Sequence, residues 1–187
     1  MACAALRILD NLGLPDLTMR RLAAELDVQP SALYHHFPNK QTMLAELADR
    51  IVATHGLSPE DVPEDWRDAL RAESAALRDG LLAYRDGAEV VSSTLALGLG
   101  ADAPLHRLAG VIGRGGFDDS TAARASSVLV HFVLGHVSHE QQRMQYDSLG
   151  ALSPELKSRG LDDDQAASFA FGVDLLVGGL ERSRSRT

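Results

Sequence analysis

The chain has 187 residues and a formal net charge of −8, and 45% of its residues are hydrophobic while 24% are charged. This length and balance suit one or two compact modules, and they exclude wholesale disorder and most multi-domain enzymes. No stretch reaches the roughly 18 uncharged apolar residues of a membrane span, and no basic-then-apolar secretory signal begins the chain, so we expect a cytoplasmic protein with no membrane partner. The single cysteine, Cys3, excludes an internal disulfide and a thiolate metal site.

The negative charge is unevenly distributed. Residues 1–55 carry five basic and six acidic side chains, whereas residues 56–187 carry 13 basic and 20 acidic ones. A nearly neutral N-terminal module therefore precedes an acidic body, and the two parts can bind different partners. The only clear linker, at 56–63, contains one glycine and two prolines and separates the two parts.

Apolar residues recur at three-and-four spacing throughout the chain, and Val, Ile and Thr form no useful period-2 run. The sequence therefore predicts an all-α fold. Asn39 and Ser153 are predicted N-caps, and Asp162 begins a capping-box-like pattern. The predicted helices cover residues 1–13, 18–26, 30–37, 40–55, 64–84, 87–98, 104–114, 119–145, 154–159 and 163–183.

Residues 18–37 carry the most informative pattern. Two short predicted helices flank a tight turn at Asp27-Val28-Gln29, which is the spacing of a helix-turn-helix. Asp27 lies where a left-handed backbone is usual, and Pro30 suits the first turn of the second helix. That helix would present polar and methyl-bearing groups to a DNA major groove, namely Gln29, Ser31, Ala32, His35 and His36.

Phosphate-directed groups flank the same helix. Thr18 lies at a helix start whose amides attract anions, Tyr34 offers a hydroxyl, and Lys40 begins the next helix. Other three-helix packings can share this pattern, so from spacing alone a DNA-binding module and an ordinary helical core both stay open.

The predicted helices at 119–145 and 163–183 each carry a broad apolar stripe. Glycines at 135, 172, 178 and 179 lower helix propensity, which indicates a close approach of crossing helices. Together with two-fold copies, these helices would form a homodimer interface of four helices. An intramolecular core is the alternative, and we favour the homodimer because most soluble oligomers are two-fold dimers.

The chain resembles the tetracycline repressor family over almost its whole length. The DNA-binding domain of that family is similar to Leu17-Thr18-x-Arg20-x-Leu22-Ala23 and to Leu33-Tyr34-x-His36-Phe37-x-Asn39-Lys40. The C-terminal domain of its tetracycline-binding members is similar to Arg85-Asp86-Gly87-Ala88, His131-Phe132-x-Leu134-Gly135 and Phe171-Gly172. The resemblance implies a dimeric repressor that binds palindromic double-stranded operator DNA and is released by a small organic effector.

The resemblance also implies that the two parts of the chain have separate functions. Residues 1–55, including the connecting helix 40–55, would bind DNA, and residues 56–187 would bind the ligand and dimerise. Arg20 matches a base-contacting position, and other DNA-facing positions match Pro30, Ser31, Ala32, Tyr34, His36 and Lys40. Pro30 and Ala32 differ from the residues of the tetracycline-binding members, so we expect a different operator.

The implied ligand positions are His55, Glu73, Leu77, Val91, Thr94, Phe132 and His139. Tetracycline-binding members hold a magnesium ion with a histidine at the position of Val91, and valine cannot ligate a hard cation. We therefore expect no metal, no cofactor and an effector other than magnesium-tetracycline. A flat or elongated, partly aromatic metabolite would suit apolar Leu77 and Val91.

Other patterns have weaker support. His136-x-x-His139-Glu140 lacks the residue order of a zincin, so we expect His131, His136 and His139 to line an interface or a pocket. The glycines at 113, 115 and 116 predict a helix end rather than a phosphate loop, and the arginines at 182, 184 and 186 predict a frayed, solvated terminus. An α-helical enzyme and a partner-binding adaptor stay as alternatives to the repressor, although no nucleophile with a neighbouring base supports catalysis.

Overall fold

The computed structural model describes residues 1–54, 56–58, 60–150 and 161–184, with side chains except at 161–164. Over these residues it contains helices and no strands, which confirms the predicted all-α fold. No described helix is long and apolar enough to cross a membrane. The helices are α1 (Ala2–Leu12), α2 (Met19–Glu25), α3 (Pro30–Tyr34), α4 (Lys40–Thr54), α5 (Trp66–Leu82), α6 (Gly87–Ala96), α7 (Ala103–Arg114), α8 (Asp119–Ser148) and α9 (Leu161–Arg184).

Most predicted helices lie within three residues of these bounds. The helix predicted at 30–37 is shorter, because α3 ends at Tyr34 and is followed by a turn. The helix predicted at 154–159, the Ser153 cap and the side chain of Asp162 lie outside the described residues. Side-chain caps explain where two of the helices begin. Asn39 Oδ1 accepts the Thr42 amide at the start of α4 at 2.8 Å, and Asp118 Oδ1 accepts the Thr121 amide at the start of α8 at 3.0 Å.

The chain forms two compact units. Unit 1 contains Met1–Gly56 and Asp79–Ala103, and unit 2 contains Leu57–Arg78 and Pro104–Thr187. The boundary predicted after residue 55 lies one residue before the division after Gly56, whereas residues 79–103, which include α6, group with the N-terminal helices. The assignment of separate functions to 1–55 and 56–187 stays a prediction.

Unit 1 is built around α4. This helix packs along α6 and against α1, and the most buried side chains of the three helices form its core. Leu9, Leu47, Ile51 and Val90 are fully buried there. Helix α6 therefore shares one hydrophobic core with α1 and α4.

Close helix contacts shape unit 2. A Cβ atom at Gly172 on α9 would lie 2.3 Å from the ring of Phe132 on α8, so this crossing requires glycine. The predicted helix end at 113–116 is confirmed, since α7 ends at Arg114 and Gly116 has φ +83°. Arg184 departs from the expected frayed terminus, because it ends α9 and donates to the Gly115 carbonyl at 2.8 Å. Arg186 lies outside the described residues.

Candidate functional site

Helices α2 and α3 form a helix-turn-helix. The turn between them contains Asp27 at φ 51°, which confirms the left-handed residue predicted there, and the Val28 amide donates to the Ala23 carbonyl at 3.0 Å. Leu22 and Leu33 are fully buried and fix one helix against the other. Because Leu33 anchors α3 from one side, its opposite side faces outward.

Most of the predicted DNA-facing residues, on α3 and around it, are exposed. Ala32 and Lys40 are half-buried, and the remaining members are exposed. The Thr18 hydroxyl caps α2 by accepting the Arg21 amide at 3.1 Å, and Lys40 Nζ donates to the Leu14 carbonyl at 3.4 Å. The exposed members are Thr18, Arg20, Gln29, Pro30, Ser31, Tyr34, His35 and His36. Their contacts with DNA stay a prediction.

Helix α6 is linked to the N-terminal helices at both ends. Asp86, which precedes α6 with φ 58°, accepts the backbone amide of Leu14 through Oδ2 at 2.8 Å. Beyond the other end, the Ala101 amide donates to Asp49 Oδ1 on α4 at 2.6 Å. The predicted ligand residues Val91 and Thr94 are buried on α6 between these links.

Glu73 has a partner that the sequence did not reveal. Its side chain on α5 is 4% exposed, and Arg107 Nε on α7 donates to Glu73 Oε2 at 3.1 Å. The two residues lie on different helices, so no short spacing could indicate the pair. Since the carboxylate of Glu73 is already matched by a cation, it is not an isolated charge that an effector must satisfy. Leu77, one turn along α5, is buried.

An aromatic cluster lies where α8 and α9 cross. Phe132 stacks on Phe169 with ring centroids 5.8 Å apart, and the His136 ring meets Phe169 edge-on at 5.4 Å. His136 Nε2 is also 3.1 Å from the Gln165 carbonyl oxygen, which fixes the ring. His139 is exposed, so the cluster includes Phe132 and leaves His139 outside.

Three ion pairs bind α5 to α8 and α9 within unit 2, and one of them joins Arg71 to Asp174 at 2.7 Å. Arg78 and Glu140 are both largely buried and join at 2.7 Å and 3.2 Å. Arg67 Nε donates to Glu181 Oε1 at 3.0 Å. The hydrogen bond from Arg67 holds the pKa of the Glu181 carboxyl below its ordinary value.

An apolar groove of about 360 Å³ runs between α8 and α9, with Leu70 of α5 at its base. Leu176, Gly179 and Leu180 line one side, and Arg124, Val128 and Leu129 line the other. Val128 is 52% exposed, Leu175 56% and Phe171 65%. Large apolar side chains exposed in a row indicate a surface that another protein covers.

The predicted ligand residues divide between the two units. Val91 and Thr94 belong to unit 1; Glu73, Leu77, Phe132 and His139 belong to unit 2; and His55 lies outside the described residues. Among the described residues, no group of three His, Cys, Asp or Glu side chains is arranged to hold a metal ion. Joint binding of an effector by these residues stays a prediction.

Comparisons with family models match both parts of the chain. Residues 3–47 match the model of bacterial regulatory proteins of the tetR family, and residues 58–184 match the tetracyclin repressor-like C-terminal domain. The chain is 34% identical over 203 residues to the class C tetracycline repressor protein of Escherichia coli, covering 98% of this chain and 90% of that protein.

Solved structures share the fold. The structure of Mycobacterium smegmatis BioQ has a TM-score of 0.84 and 40% sequence identity, covering 96% of this chain and 94% of that chain. A BioQ structure with its natural double-stranded DNA operator has a TM-score of 0.78 and 38% identity, with the same coverage. These similarities extend over both compact units.

Proposed function

This chain belongs to the tetR family of bacterial regulatory proteins, and from that premise we propose that it is a homodimeric repressor that binds a palindromic operator and is released by a small organic effector. The exposed residues of α2 and α3 support this proposal most directly. They offer hydroxyl, imidazole and guanidinium groups around a buried anchor, Leu33. Such groups read base edges and phosphates in a major groove.

Binding to a labelled fragment of the protein's own promoter tests this function. We expect Arg20→Ala to relax the preference at one base position, whereas Lys40→Ala with Tyr34→Phe weakens binding to all sequences and flattens its salt dependence. Arg7→Ala is the matched control, because Arg7 is an exposed cation on α1 that pairs with Glu25 at 3.4 Å. Absence of DNA binding even at low salt would favour the enzyme or the adaptor instead.

The groove between α8 and α9 supports the homodimer. Phe171, Leu175 and Gly179 follow one another at four-residue spacing on α9, so a two-fold axis near Leu175 would place Phe171 of one copy opposite Gly179 of the other. Gly179 has open space where a Cβ would lie, which leaves room for a large ring. The two recognition helices of such a dimer would enter successive major grooves about 34–36 Å apart.

The effector follows from the chemistry of the predicted ligand residues. Leu77 and Val91 offer apolar contact, Thr94 offers a hydroxyl, and Glu73 is paired with Arg107. An aromatic or elongated molecule with uncharged polar edges fits these groups better than a metal chelate, because Val91 cannot ligate magnesium. We expect isothermal calorimetry to detect no tight, magnesium-dependent binding of tetracycline. Such binding would refute this part of the proposal.

We infer that the protein acts as a regulator rather than as an enzyme. Of the three histidines on α8, His136 contacts the Gln165 carbonyl, and His131 and His139 are exposed. A repressor acts where its operator lies, so we place the protein in the cytoplasm.

A further inference from the structure

The side chain of Arg184, in the last turn of α9, contacts two aromatic rings and a backbone carbonyl of unit 2. Its Nη1 donates to the Gly115 carbonyl at 2.8 Å, and its guanidinium carbon lies 6.0 Å from the ring centroids of both Trp66 and Phe117. The two rings meet edge-on with their centroids 5.4 Å apart. A guanidinium is attracted to aromatic rings at about this distance. We call these four residues the Arg184 clamp.

The tryptophan ring of the clamp is itself held in place. Trp66 is 7% exposed, and a Cβ atom at Gly115 would lie 2.9 Å from its ring, so this close approach requires glycine. The guanidinium carbon of Arg67 lies 5.0 Å from the centroid of the same ring, and Arg67 Nε donates to Glu181 of α9 at 3.0 Å. A ring that is fixed in this way offers Arg184 a surface of fixed position.

The Arg184 clamp lies at one end of the apolar groove between α8 and α9. Trp66 precedes the groove residue Leu70 by one turn of α5, and Arg184 follows the groove residue Leu180 by one turn of α9. Residues four apart lie on the same side of a helix. Phe117 comes immediately before the N-cap of α8. The clamp therefore joins the three helices that form the groove.

We propose that Arg184 is a positioning residue that holds the end of α9 in the conformation that a second copy of this chain binds. This inference rests on the proposed homodimer, because it concerns the surface that the second copy covers. Gly179 and Leu180, which line the groove, lie within the last two turns of α9. If these turns were frayed, association would have to order them, and the loss of entropy would weaken it. The clamp orders them before the two copies meet.

Fluorescence of Trp66 in the full-length protein tests whether the clamp forms. Trp66 is the only tryptophan of the chain, so its emission reports on this site alone. We expect Arg184→Ala to raise the acrylamide quenching constant severalfold and to shift the emission to the red, because water then reaches the ring. Arg182→Ala is the matched control, since Arg182 is an exposed arginine of the same helix, and it should leave the quenching unchanged. Equal quenching in Arg184→Ala and in the unmodified protein would overturn the proposal.

Sedimentation without denaturant tests the role of the clamp in association. Loss of a hydrogen bond from a charged donor should raise the dimer dissociation constant of Arg184→Ala about tenfold. Arg184→Lys keeps a cation that can donate to the Gly115 carbonyl, so it should recover most of this loss. Arg182→Ala should associate like the unmodified protein.

A contact that only stabilised the fold would lower the urea midpoint of Arg184→Ala and leave its dissociation constant unchanged. A constant within about twofold of that of Arg182→Ala would therefore overturn the proposal. An unmodified protein that stays monomeric at every concentration would overturn the proposed homodimer, and the quenching of Trp66 would still decide whether the clamp forms.

Discussion

At the scale of single residues, the pair of Arg67 and Glu181 makes stability depend on pH. The hydrogen bond from Arg67 lowers the pKa of Glu181 in the folded protein. The stabilisation is therefore present above the pKa of the unfolded carboxyl, and it is lost as the pH falls through the lower, folded pKa. At neutral pH the pair contributes fully.

We expect Glu181→Gln to lower the denaturation midpoint in urea at pH 7 and to lose this difference at acid pH, once the pH has fallen through the lowered pKa of the folded carboxyl. The control is Glu64→Gln, since Glu64 is an exposed acid outside this pair. Equal effects of Glu181→Gln at both pH values would show that the charge of Glu181 does not stabilise the fold.

At the scale of helices, the crossing of α8 and α9 depends on Gly172, because glycine has no Cβ atom. We expect Gly172→Ala to lower the free energy of unfolding by about 1–3 kcal/mol, because the new methyl group would overlap the Phe132 ring. Gly110→Ala is the control, since Gly110 is an exposed glycine on α7 with open space around it. That change should stabilise the protein by about 0.5–1 kcal/mol. Urea titrations of both variants measure the difference.

Helix positions followed from local signals in the sequence, and the links between helices did not. Asn39, Asp27 and Pro30 act through neighbouring backbone, so their roles were predictable and the structure confirms them. Arg107 meets Glu73 from another helix, and Asp49 meets Ala101 across 52 positions. Such contacts depend on how the helices pack against one another, and the residue spacing within one helix does not predict them.

At the scale of the whole molecule, the apolar row on α9 predicts how two copies associate. We expect Phe171→Glu to convert the dimer to monomers in sedimentation experiments, because a carboxylate opposite Gly179 of the partner would be buried without a partner charge. Leu12→Glu is the control, since Leu12 is an exposed apolar residue at the end of α1. A dimeric Phe171→Glu protein that still binds a palindromic fragment would place the interface elsewhere.

The predicted DNA-facing residues carry little positive charge, and this affects how the protein finds its operator. Among the predicted DNA-facing residues only Arg20 and Lys40 are cations, and the chain as a whole carries −8. If these residues contact DNA, we expect few counterions to be released on contact with bulk DNA, so that random segments of the chromosome retain the protein only briefly. Most copies then search by diffusion through solution rather than by sliding. A repressor of this kind can occupy one operator at low copy number, because little of it is sequestered by the genome.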